Sequence, residues 1–272
     1  PAPLPALPVE ATVRGGRTWL RRLRHMPRLP GPAQQPDTRA QVVVVSGGLR
    51  GVGLRLGLHL LERAHVLRVV LAGRAAAVAA TEAATATEAA ASAAADDAAA
   101  LSLARRLGAE VVVCDVTRWD EVAALPPADL VIHAAGCIAD GPLESATRAS
   151  FEAVLAPKID GARCLRRRYP GARIIACSST SATFGVAGQA SYAAANAALD
   201  EACGIEAIAW GGWADVGMAA RYAIAPLRGE RFLAPAAGCS ALDAILGTAP
   251  TRSPTPLVVL GRGTDWDAYA SQ

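Results

Sequence analysis

The strongest constraint on the fold lies in residues 41–61, where four consecutive valines lead into a glycine-rich run and then into an amphipathic run of helical length. A short β-branched run that ends at glycines predicts a fully buried strand. A strand, a glycine-rich turn and a helix in this order allow backbone N–H groups and the helix N-terminus to meet a pyrophosphate. We therefore predict a nucleotide site at this turn. Its residues are Gly47, Gly48, Leu49, Arg50, Gly51, Val52 and Gly53.

Six further apolar runs follow this one, and stretches of helical length separate them. Short strands that alternate with helices predict parallel βαβ units. With 272 residues and 52% hydrophobic content, the chain suits one α/β domain with a sizeable core. We expect a Rossmann-like, doubly wound, mostly parallel seven-stranded sheet with helices on both faces. The predicted strands are 42–45, 67–72, 111–114, 130–133, 173–177, 207–210 and 257–260.

Two regions depart from this alternation. The first forty residues hold eight prolines and predict an extended linker, within which residues 11–20 form a short hairpin that turns at Gly15 and Gly16. Residues 75–100 contain 17 alanines among 26, which predicts a lengthened surface helix, partly disordered and without chemistry of its own. We assign residues 1–40 to the linker and 41–272 to the nucleotide-binding catalytic domain.

Charge and cysteine content limit the other functional classes. Seven arginines stand against one aspartate between residues 14 and 39, but no interleaved aromatics accompany them, which favours a solvated flank over nucleic-acid binding. Six cysteines without a C-x-x-C pair or a histidine at metal spacing predict free thiols and no metal site. They indicate a reducing compartment, the cytoplasm first and a plastid second. No apolar run approaches the ~18 residues of a membrane span.

Basic residues near the predicted nucleotide site bear on the choice of cofactor. Arg74 follows the second strand, where NAD-preferring sites often hold an acidic residue. With Arg50 it could meet the adenosine 2′-phosphate, so we favour NADP(H) over NAD; the alternative is two solvated arginines. Asp115 ends the third strand and could take the adenine amino group or act as a simple cap. Small residues after the fourth strand would let the nicotinamide ribose approach the backbone. The further cofactor residues are Val116, Ala134, Ala135 and Gly136.

A candidate acid site lies between residues 179 and 196. Tyr192 follows Ser179 by thirteen residues and precedes Asn196 by four. Because the alanine-rich run from 189 onward predicts a helix, Tyr192 and Asn196 should lie one turn apart on the same face. A hydroxyl, a phenol and a carboxamide in this arrangement can surround one carbonyl oxygen. The alternatives are a loop cap, a half-buried core aromatic and a helix-surface amide, respectively.

The sole lysine and the histidines complete the set of candidate groups. Lys158 is the only lysine among 27 basic residues, which suggests a retained ammonium, although composition bias could leave a stray lysine. The four histidines are scattered, and none pairs with a nucleophile, which argues against a Ser-His-Asp hydrolase. We interpret His133 as structural.

Several motifs in order resemble the ketoreductase domains of modular type I polyketide synthases and of the related animal-type fatty acid synthases. The turn at 46–53 has the T-G-x-x-x-G-x-G spacing of the short-chain dehydrogenase/reductase superfamily, with Ser46 for threonine. Most short-chain reductases carry lysine four residues after the tyrosine, whereas this chain has Asn196 there and Lys158 upstream, as the polyketide ketoreductases do. The resemblance covers about 41 to 270. The remaining motifs are HisAlaAlaGly (133–136), AspGlyProLeu (140–143), AlaProLysIleAspGlyAla (156–162), CysSerSer (177–179), TrpGlyGlyTrp (210–213) and GlyMet (217–218).

The resemblance implies a role for each catalytic candidate. Tyr192 would protonate a carbonyl oxygen that Ser179 hydrogen-bonds, and Lys158 would lower the pKa of the phenol and hold the nicotinamide ribose. Asn196 would position a water. The implied activity is NADPH-dependent reduction of the β-keto group of an intermediate on an acyl carrier protein, within a megasynthase that supplies further domains. Residues 13–17 would be a remnant of the family's structural subdomain.

The resemblance also suggests the configuration of the product. Ile138-Ala139-Asp140 keeps only the last aspartate of the family's Leu-Asp-Asp signature for the D-hydroxyl, and Phe184 stands where the opposite class has tryptophan. We therefore expect D-configured products and a lid over the acyl-phosphopantetheine arm at about 212–231. The residues assigned to substrate binding and stereocontrol are Asp140, Phe184, Gln189, Trp210 and Met218.

One departure from the family leaves two alternatives open. Tyr192 and Trp210 are 18 residues apart, about two helical turns fewer than is usual in the family. The shortened helix could misplace the tyrosine, and an error of 1 Å can cost about a hundredfold in rate. The alternatives are a non-catalytic ketoreductase domain that serves as a scaffold in a megasynthase, and a free-standing short-chain ketone reductase.

Overall fold

The computed structural model describes residues 11–14, 17–20, 41–74, 87–202, 205–250, 257–265 and 269. Strand β1 (Ala11–Arg14) pairs antiparallel with β2 (Arg17–Leu20), which confirms the two strands of the predicted hairpin. The turn at Gly15 and Gly16 and the rest of the predicted linker lie outside the described residues.

The main body is one seven-stranded sheet, and all of its strands are parallel. The strands are β3 (Gln41–Ser46), β4 (Val66–Gly73), β5 (Glu110–Val113), β6 (Leu130–His133), β7 (Arg173–Ser179), β8 (Glu206–Trp210) and β9 (Leu257–Val259). Their order across the sheet is β5-β4-β3-β6-β7-β8-β9. This arrangement confirms the predicted fold class, and each of the seven predicted strands is present with no end displaced by more than two residues.

Helices cover both faces of the sheet. They are α1 (Gly51–Leu61), α2 (Glu88–Arg106), α3 (Trp119–Ala123), α4 (Arg148–Arg168), α5 (Ser181–Phe184), α6 (Ala190–Asp200), α7 (Gly217–Arg221) and α8 (Pro235–Leu246). Alternate residues of a strand point to opposite faces, so Val43 and Val45 join one apolar cluster with α1, α2 and α8, whereas Val44 joins another with α3, α4 and α6. A strand buried on both sides must be apolar throughout, which explains the run of valines.

The alanine-rich region forms a helix over part of the predicted span. Helix α2 runs from Glu88 to Arg106. Thr87 caps its N-terminus, since the Thr87 side chain accepts a hydrogen bond from the N–H of Ala90. The predicted residues 75–86 lie outside the described part of the chain. Helix α2 packs against α1 and α7, so this helix approaches the glycine-rich turn.

The order of the strands places a crevice at one edge of the sheet. The chain runs outward from β3 to β4 and β5 on one side, and then from β6 to β9 on the other. In open parallel sheets, ligands bind outside the carboxyl ends of the strands at this point of reversal. The glycine-rich turn leaves β3 there and leads into α1.

Candidate functional site

A cavity of about 730 Å³ lies at the carboxyl ends of the central strands. This volume is in the range of cofactor and ligand sites. Most of the residues that the sequence assigned to cofactor and substrate line it: Gly47, Leu49, Arg50, Gly51, Val52, Gly53, Arg74, Asp115, Val116, Ala134, Ala135, Gly136, Lys158, Ser179, Gln189, Tyr192, Trp210 and Met218. Gly48, Asp140, Phe184 and Asn196 are not among the lining residues.

The glycine-rich turn packs against its neighbours more closely than side chains would allow. Gly47 has a φ of +72°, and a Cβ there would lie 2.6 Å from the backbone nitrogen of Ala135. Gly51 has a φ of +56°, and its Cβ would lie 2.9 Å from the Cα of Gly217. Glycine is therefore required at both positions, which hold the turn against the end of β6 and against the start of α7.

Lys158 and Tyr192 lie next to each other in the cavity wall. Helix α4 packs against α6, and this contact brings the Lys158 Nζ to 5.8 Å from the centroid of the Tyr192 ring. The ammonium donates to the carbonyl oxygen of Cys177 in β7 (2.6 Å). Burial lowers the pKa of Lys158 to about 8, although the nearby Cys177 and Asp200 act in the opposite direction.

The phenol of Tyr192 is a protonated group at neutral pH. Burial raises the pKa of Tyr192 to about 12, while the neighbouring Asn196 and Ser179 side chains lower it. Ser179, at the end of β7, accepts a hydrogen bond from the N–H of Ser181 (3.2 Å), and its hydroxyl lies beside the Tyr192 phenol. The arrangement combines a proton donor, a second hydroxyl donor and a cation at one wall of the cavity.

Asn196 lies behind Tyr192 rather than in the cavity. Its Nδ2 donates to the backbone oxygen of Tyr192 one turn earlier (2.8 Å), and the side chain is fully buried. Its Oδ1 is buried without a hydrogen-bond partner among the described residues. The predicted placement on the same helical face is therefore seen, but Asn196 contacts the backbone of α6 instead of the cavity.

His133 is a structural residue in this arrangement. Its ring is fully buried, and burial together with the charge of Lys158 lowers the pKa of His133 to about 4, so the ring is neutral at pH 7. Its Nε2 donates to the backbone oxygen of Lys158 (3.3 Å), and the hydroxyl of Ser46 then donates to Nδ1 (2.7 Å). This network ties β3, β6 and α4 together behind the site.

Asp115 makes the contacts of a local cap and also lines the cavity. Its Oδ1 accepts hydrogen bonds from the N–H (2.9 Å) and the hydroxyl (2.7 Å) of Thr117. The carboxylate of Glu121 accepts from the N–H of Asp115 (2.6 Å). The cap foreseen as the alternative is present, and the role in adenine binding stays a prediction.

The residues assigned to stereocontrol lie in three separate places. Gln189 donates to Asp140 Oδ2 (2.8 Å); Asp140 is exposed, whereas Gln189 is partly buried and lines the cavity. Phe184 packs edge-to-face on Tyr269, with ring centroids 4.9 Å apart. Trp210 and Met218 line the cavity itself. The predicted lid, 212–231, runs along the cavity, and the carboxylate of Glu230 joins its two ends by accepting from the N–H groups of Gly212 and Leu227 (both 3.0 Å).

Asp97 is a cavity residue that the sequence analysis did not assign. This carboxylate of helix α2 accepts a hydrogen bond from the N–H of Gly51 (2.8 Å) and pairs with Arg221 of α7 (3.2 Å). The sequence analysis expected a surface helix without chemistry of its own here, whereas Asp97 lines the cavity and contacts the glycine-rich turn. The available signal was a pair of adjacent aspartates, 96 and 97, that interrupts a run of alanines.

The donor groups in the cavity fit a nicotinamide dinucleotide. The wall includes the glycine-rich turn with Arg50, the N-terminus of α1, Arg74, and the side chains of Lys158, Ser179 and Tyr192. Within the described residues, no group of three or more metal-ligating side chains occurs, and no helix is long and apolar enough to cross a membrane.

Comparison with known proteins gives the same assignment from sequence and from structure. A family model described as "KR domain" matches residues 41–209. The polyketide synthase GfsB of Streptomyces halstedii is 33% identical over 268 residues, which are 88% of this chain and 4% of that protein. The first ketoreductase of the tylosin polyketide synthase is a solved structure with a TM-score of 0.72 and 28% identity, covering 96% of this chain and 56% of that chain.

A more distant structure shares the fold alone. The alcohol dehydrogenase of the archaeon Thermococcus sibiricus, solved with 5-hydroxy-NADP, has a TM-score of 0.60 and 14% identity, over 83% of this chain and 98% of that chain. The chain therefore spans a small part of the polyketide synthase that it matches, but nearly all of a single dehydrogenase chain.

Proposed function

Since the chain belongs to the KR domain family, the ketoreductase domains of type I polyketide synthases within the short-chain dehydrogenase/reductase superfamily, we propose that it reduces the β-keto group of an intermediate bound to an acyl carrier protein. NADPH is the proposed electron donor and a D-configured β-hydroxyl the proposed product. The other domains of a megasynthase are the proposed partners. The named relatives are polyketide synthases, which supports this class of substrate.

One observation carries the proposal. The only lysine of the chain lies beside Tyr192, and both line the cavity that begins at the glycine-rich turn. A cation, a phenol and a nucleotide-binding turn around one cavity are the requirements for protonating a carbonyl oxygen as it is reduced.

The proton chemistry follows from the states of these groups. With a pKa of about 12, Tyr192 carries its proton at neutral pH and can donate it to a carbonyl oxygen. Lys158, with a pKa of about 8, is mostly charged at pH 7, and its charge favours the phenolate that remains after donation. The Ser179 hydroxyl stabilises the negative charge that develops on the oxygen. Bound NADPH supplies the hydride for this reduction.

The other groups support these residues from a distance. Asn196 fixes the first turn of α6 through the Tyr192 carbonyl, and its unpartnered Oδ1 could accept from a water that returns a proton toward Lys158. Gln189 lines the cavity and donates to Asp140 beside it, and the pair would orient the acyl chain. This position supports their assignment to stereocontrol.

The test is consumption of NADPH with a β-ketoacyl thioester, followed by chiral analysis of the hydroxyl product. Tyr192→Phe is the matched control because it removes one hydroxyl and keeps the ring. Turnover by the original chain and not by the variant supports the proposal. Equal rates for the two proteins would contradict it.

A scaffold without catalysis is the second candidate. Helix α6 has eleven residues, and β8 begins at Glu206, so little chain separates Tyr192 from the next strand. If NADPH binds and neither a β-ketoacyl thioester nor trans-1-decalone is reduced, this candidate replaces the first. Turnover of trans-1-decalone without any turnover of thioesters would instead favour a free-standing ketone reductase.

A further inference from the structure

We propose that Arg221 is a cofactor-selecting residue, which forms a three-arginine site for the 2′-phosphate of NADP(H) together with Arg50 and Arg74, and that Asp97 is the residue that positions it. This inference rests on the proposed use of a nicotinamide dinucleotide. It assigns a role to the middle of the predicted lid and to the alanine-rich helix.

The two oxygens of the Asp97 carboxylate have different partners. Oδ1 accepts from the N–H of Gly51 in the glycine-rich turn (2.8 Å), and Oδ2 pairs with Nη2 of Arg221 (3.2 Å). The side chains of Asp97 and Arg221 are only 10% and 13% exposed. Because water screens such a partly buried pair poorly, the carboxylate holds the guanidinium against the turn.

A backbone contact supports the same placement. Gly51 and Gly217 approach so closely that a Cβ on Gly51 would lie 2.9 Å from the Cα of Gly217. Helix α7 begins at Gly217 and ends at Arg221, so its first residue touches the turn and its last residue pairs with α2. Two separate contacts therefore fix α7 at the glycine-rich turn.

The charges around this point are unbalanced. Arg50, Arg74 and Arg221 line the cavity together with Asp97. Burial lowers the pKa of Arg50, and the positive charges of Arg221 and Arg74 lower it further. Within the described residues, neither Arg50 nor Arg74 has an ion pair. Three guanidiniums thus lie around a single paired carboxylate, that of Asp97, and an added phosphate dianion would balance their charge.

The geometry of arginine suits this task. A guanidinium has five N–H donors in a planar fork that matches phosphate oxygens. Asp97 takes one donor of Arg221 in the described part of the chain, which leaves others for a ligand. Each oxygen of Asp97 already accepts from one partner, Gly51 or Arg221, so the carboxylate is engaged in holding the turn and the guanidinium together. The cluster therefore favours the phosphorylated cofactor.

Calorimetric titration of the 272-residue chain tests the role of Arg221. The probes are NADPH, NADH, 2′,5′-ADP and 5′-AMP. Arg221→Ala should weaken binding of NADPH and 2′,5′-ADP by about tenfold to a hundredfold, the usual effect of losing a hydrogen bond to a charged group. NADH and 5′-AMP should change by less than about threefold. Arg221→Lys keeps the charge but not the fork and should fall between the two.

Arg163→Ala is the matched control, since it also removes an arginine that pairs with an aspartate, but on the exposed surface of α4. Its affinities should equal those of the original chain. Circular dichroism and thermal melting establish that each variant is folded. Equal losses for NADPH and NADH in Arg221→Ala, or no loss for either, would overturn the proposal.

A double-mutant cycle tests whether Asp97 acts through Arg221. Asp97→Asn should lower the ratio of NADPH to NADH affinity about twofold to tenfold, and it should leave this ratio unchanged when Arg221 is already alanine. A higher ratio in Asp97→Asn would show that Asp97 repels the phosphate, and this would overturn its positioning role. An original chain that prefers NADH or binds neither dinucleotide would overturn the whole inference. Selective binding without ketone reduction would contradict only the proposed function.

Discussion

The Tyr192 end and the Arg221 end of the cavity are assembled from different lengths of chain. At the Tyr192 end, Lys158, Ser179 and Tyr192 come from α4, β7 and α6, within 35 residues of one another. At the Arg221 end, Asp97 meets Arg221, 124 residues away, beside the glycine-rich turn. The first end depends on the spacing of a short segment, whereas the second depends on the docking of α2 and α7. Changes at the first should therefore affect chemistry, and changes at the second should affect cofactor affinity.

The largest effect is expected at the Tyr192 end. Tyr192→Phe should lower kcat by about a hundredfold to ten-thousandfold, the usual contribution of a general acid. The Kd of NADPH should stay within about twofold, because the ring remains in place. Steady-state kinetics and calorimetry measure the two quantities. A large loss of NADPH affinity would mean that the two ends are not separable in this way.

Lys158 should affect stability as a function of pH. Its pKa of about 8 in the folded chain lies below the ordinary value of 10.5, so the unfolded chain binds more protons between these two values. The charged lysine therefore destabilises the fold below pH 8, and stability rises as the pH increases from about 8 toward 10.5. Relative to Lys158→Met, the free energy of unfolding of the original chain should rise by up to roughly 3 kcal/mol across this window.

Urea unfolding at several pH values between 7 and 10 measures this difference. Arg163→Met, a surface substitution on the same helix, provides the reference. Parallel curves for the original chain and Lys158→Met would show that the ammonium is not desolvated in the folded state.

Gly51→Ala tests the closeness of the turn and α7 at the other end. The added Cβ would meet the Cα of Gly217 at 2.9 Å, in a backbone conformation that already disfavours alanine. We expect a loss of about 2–3 kcal/mol in unfolding free energy and weaker binding of NADPH. Gly108→Ala is the control, because Gly108 also has a positive φ (+92°) but no atom within 4 Å of its Cβ position. Equal losses in both variants would mean that the contact with Gly217 is not tight.

The smallest effect is expected at the hydrogen bond between Asp140 and Gln189. Asp140→Ala removes one hydrogen bond to Gln189 between accessible side chains, so stability should change by less than about 1 kcal/mol. The fraction of D-configured product should fall, since the acyl chain loses one orienting contact. Chiral chromatography of the product measures this fraction. An unchanged ratio would remove Asp140 from the stereocontrol assignment.

The strands and the shared helical face of Tyr192 and Asn196 were accessible from local patterns, whereas the place of Lys158 beside Tyr192 was expected only from the resemblance to the ketoreductase family. A buried parallel strand needs a continuous apolar run, and residues four apart on a helix share a face. The direction of Asn196 was not accessible, since its amide turns to the backbone of its own helix and not to the cavity. Asp97 was not accessible either, because alanine-rich periodicity does not reveal which face of α2 meets the glycine-rich turn.

The single lysine makes the cavity open to selective labelling. An acylating reagent that attacks amines can modify only one side chain in this protein, and Lys158 is 3% exposed in the cavity wall. The rate of its modification therefore reports how often that wall becomes accessible to small molecules from the solvent. A bound cofactor that covers the ammonium would slow the labelling, and mass spectrometry can follow this protection at one site without a competing background from other lysines.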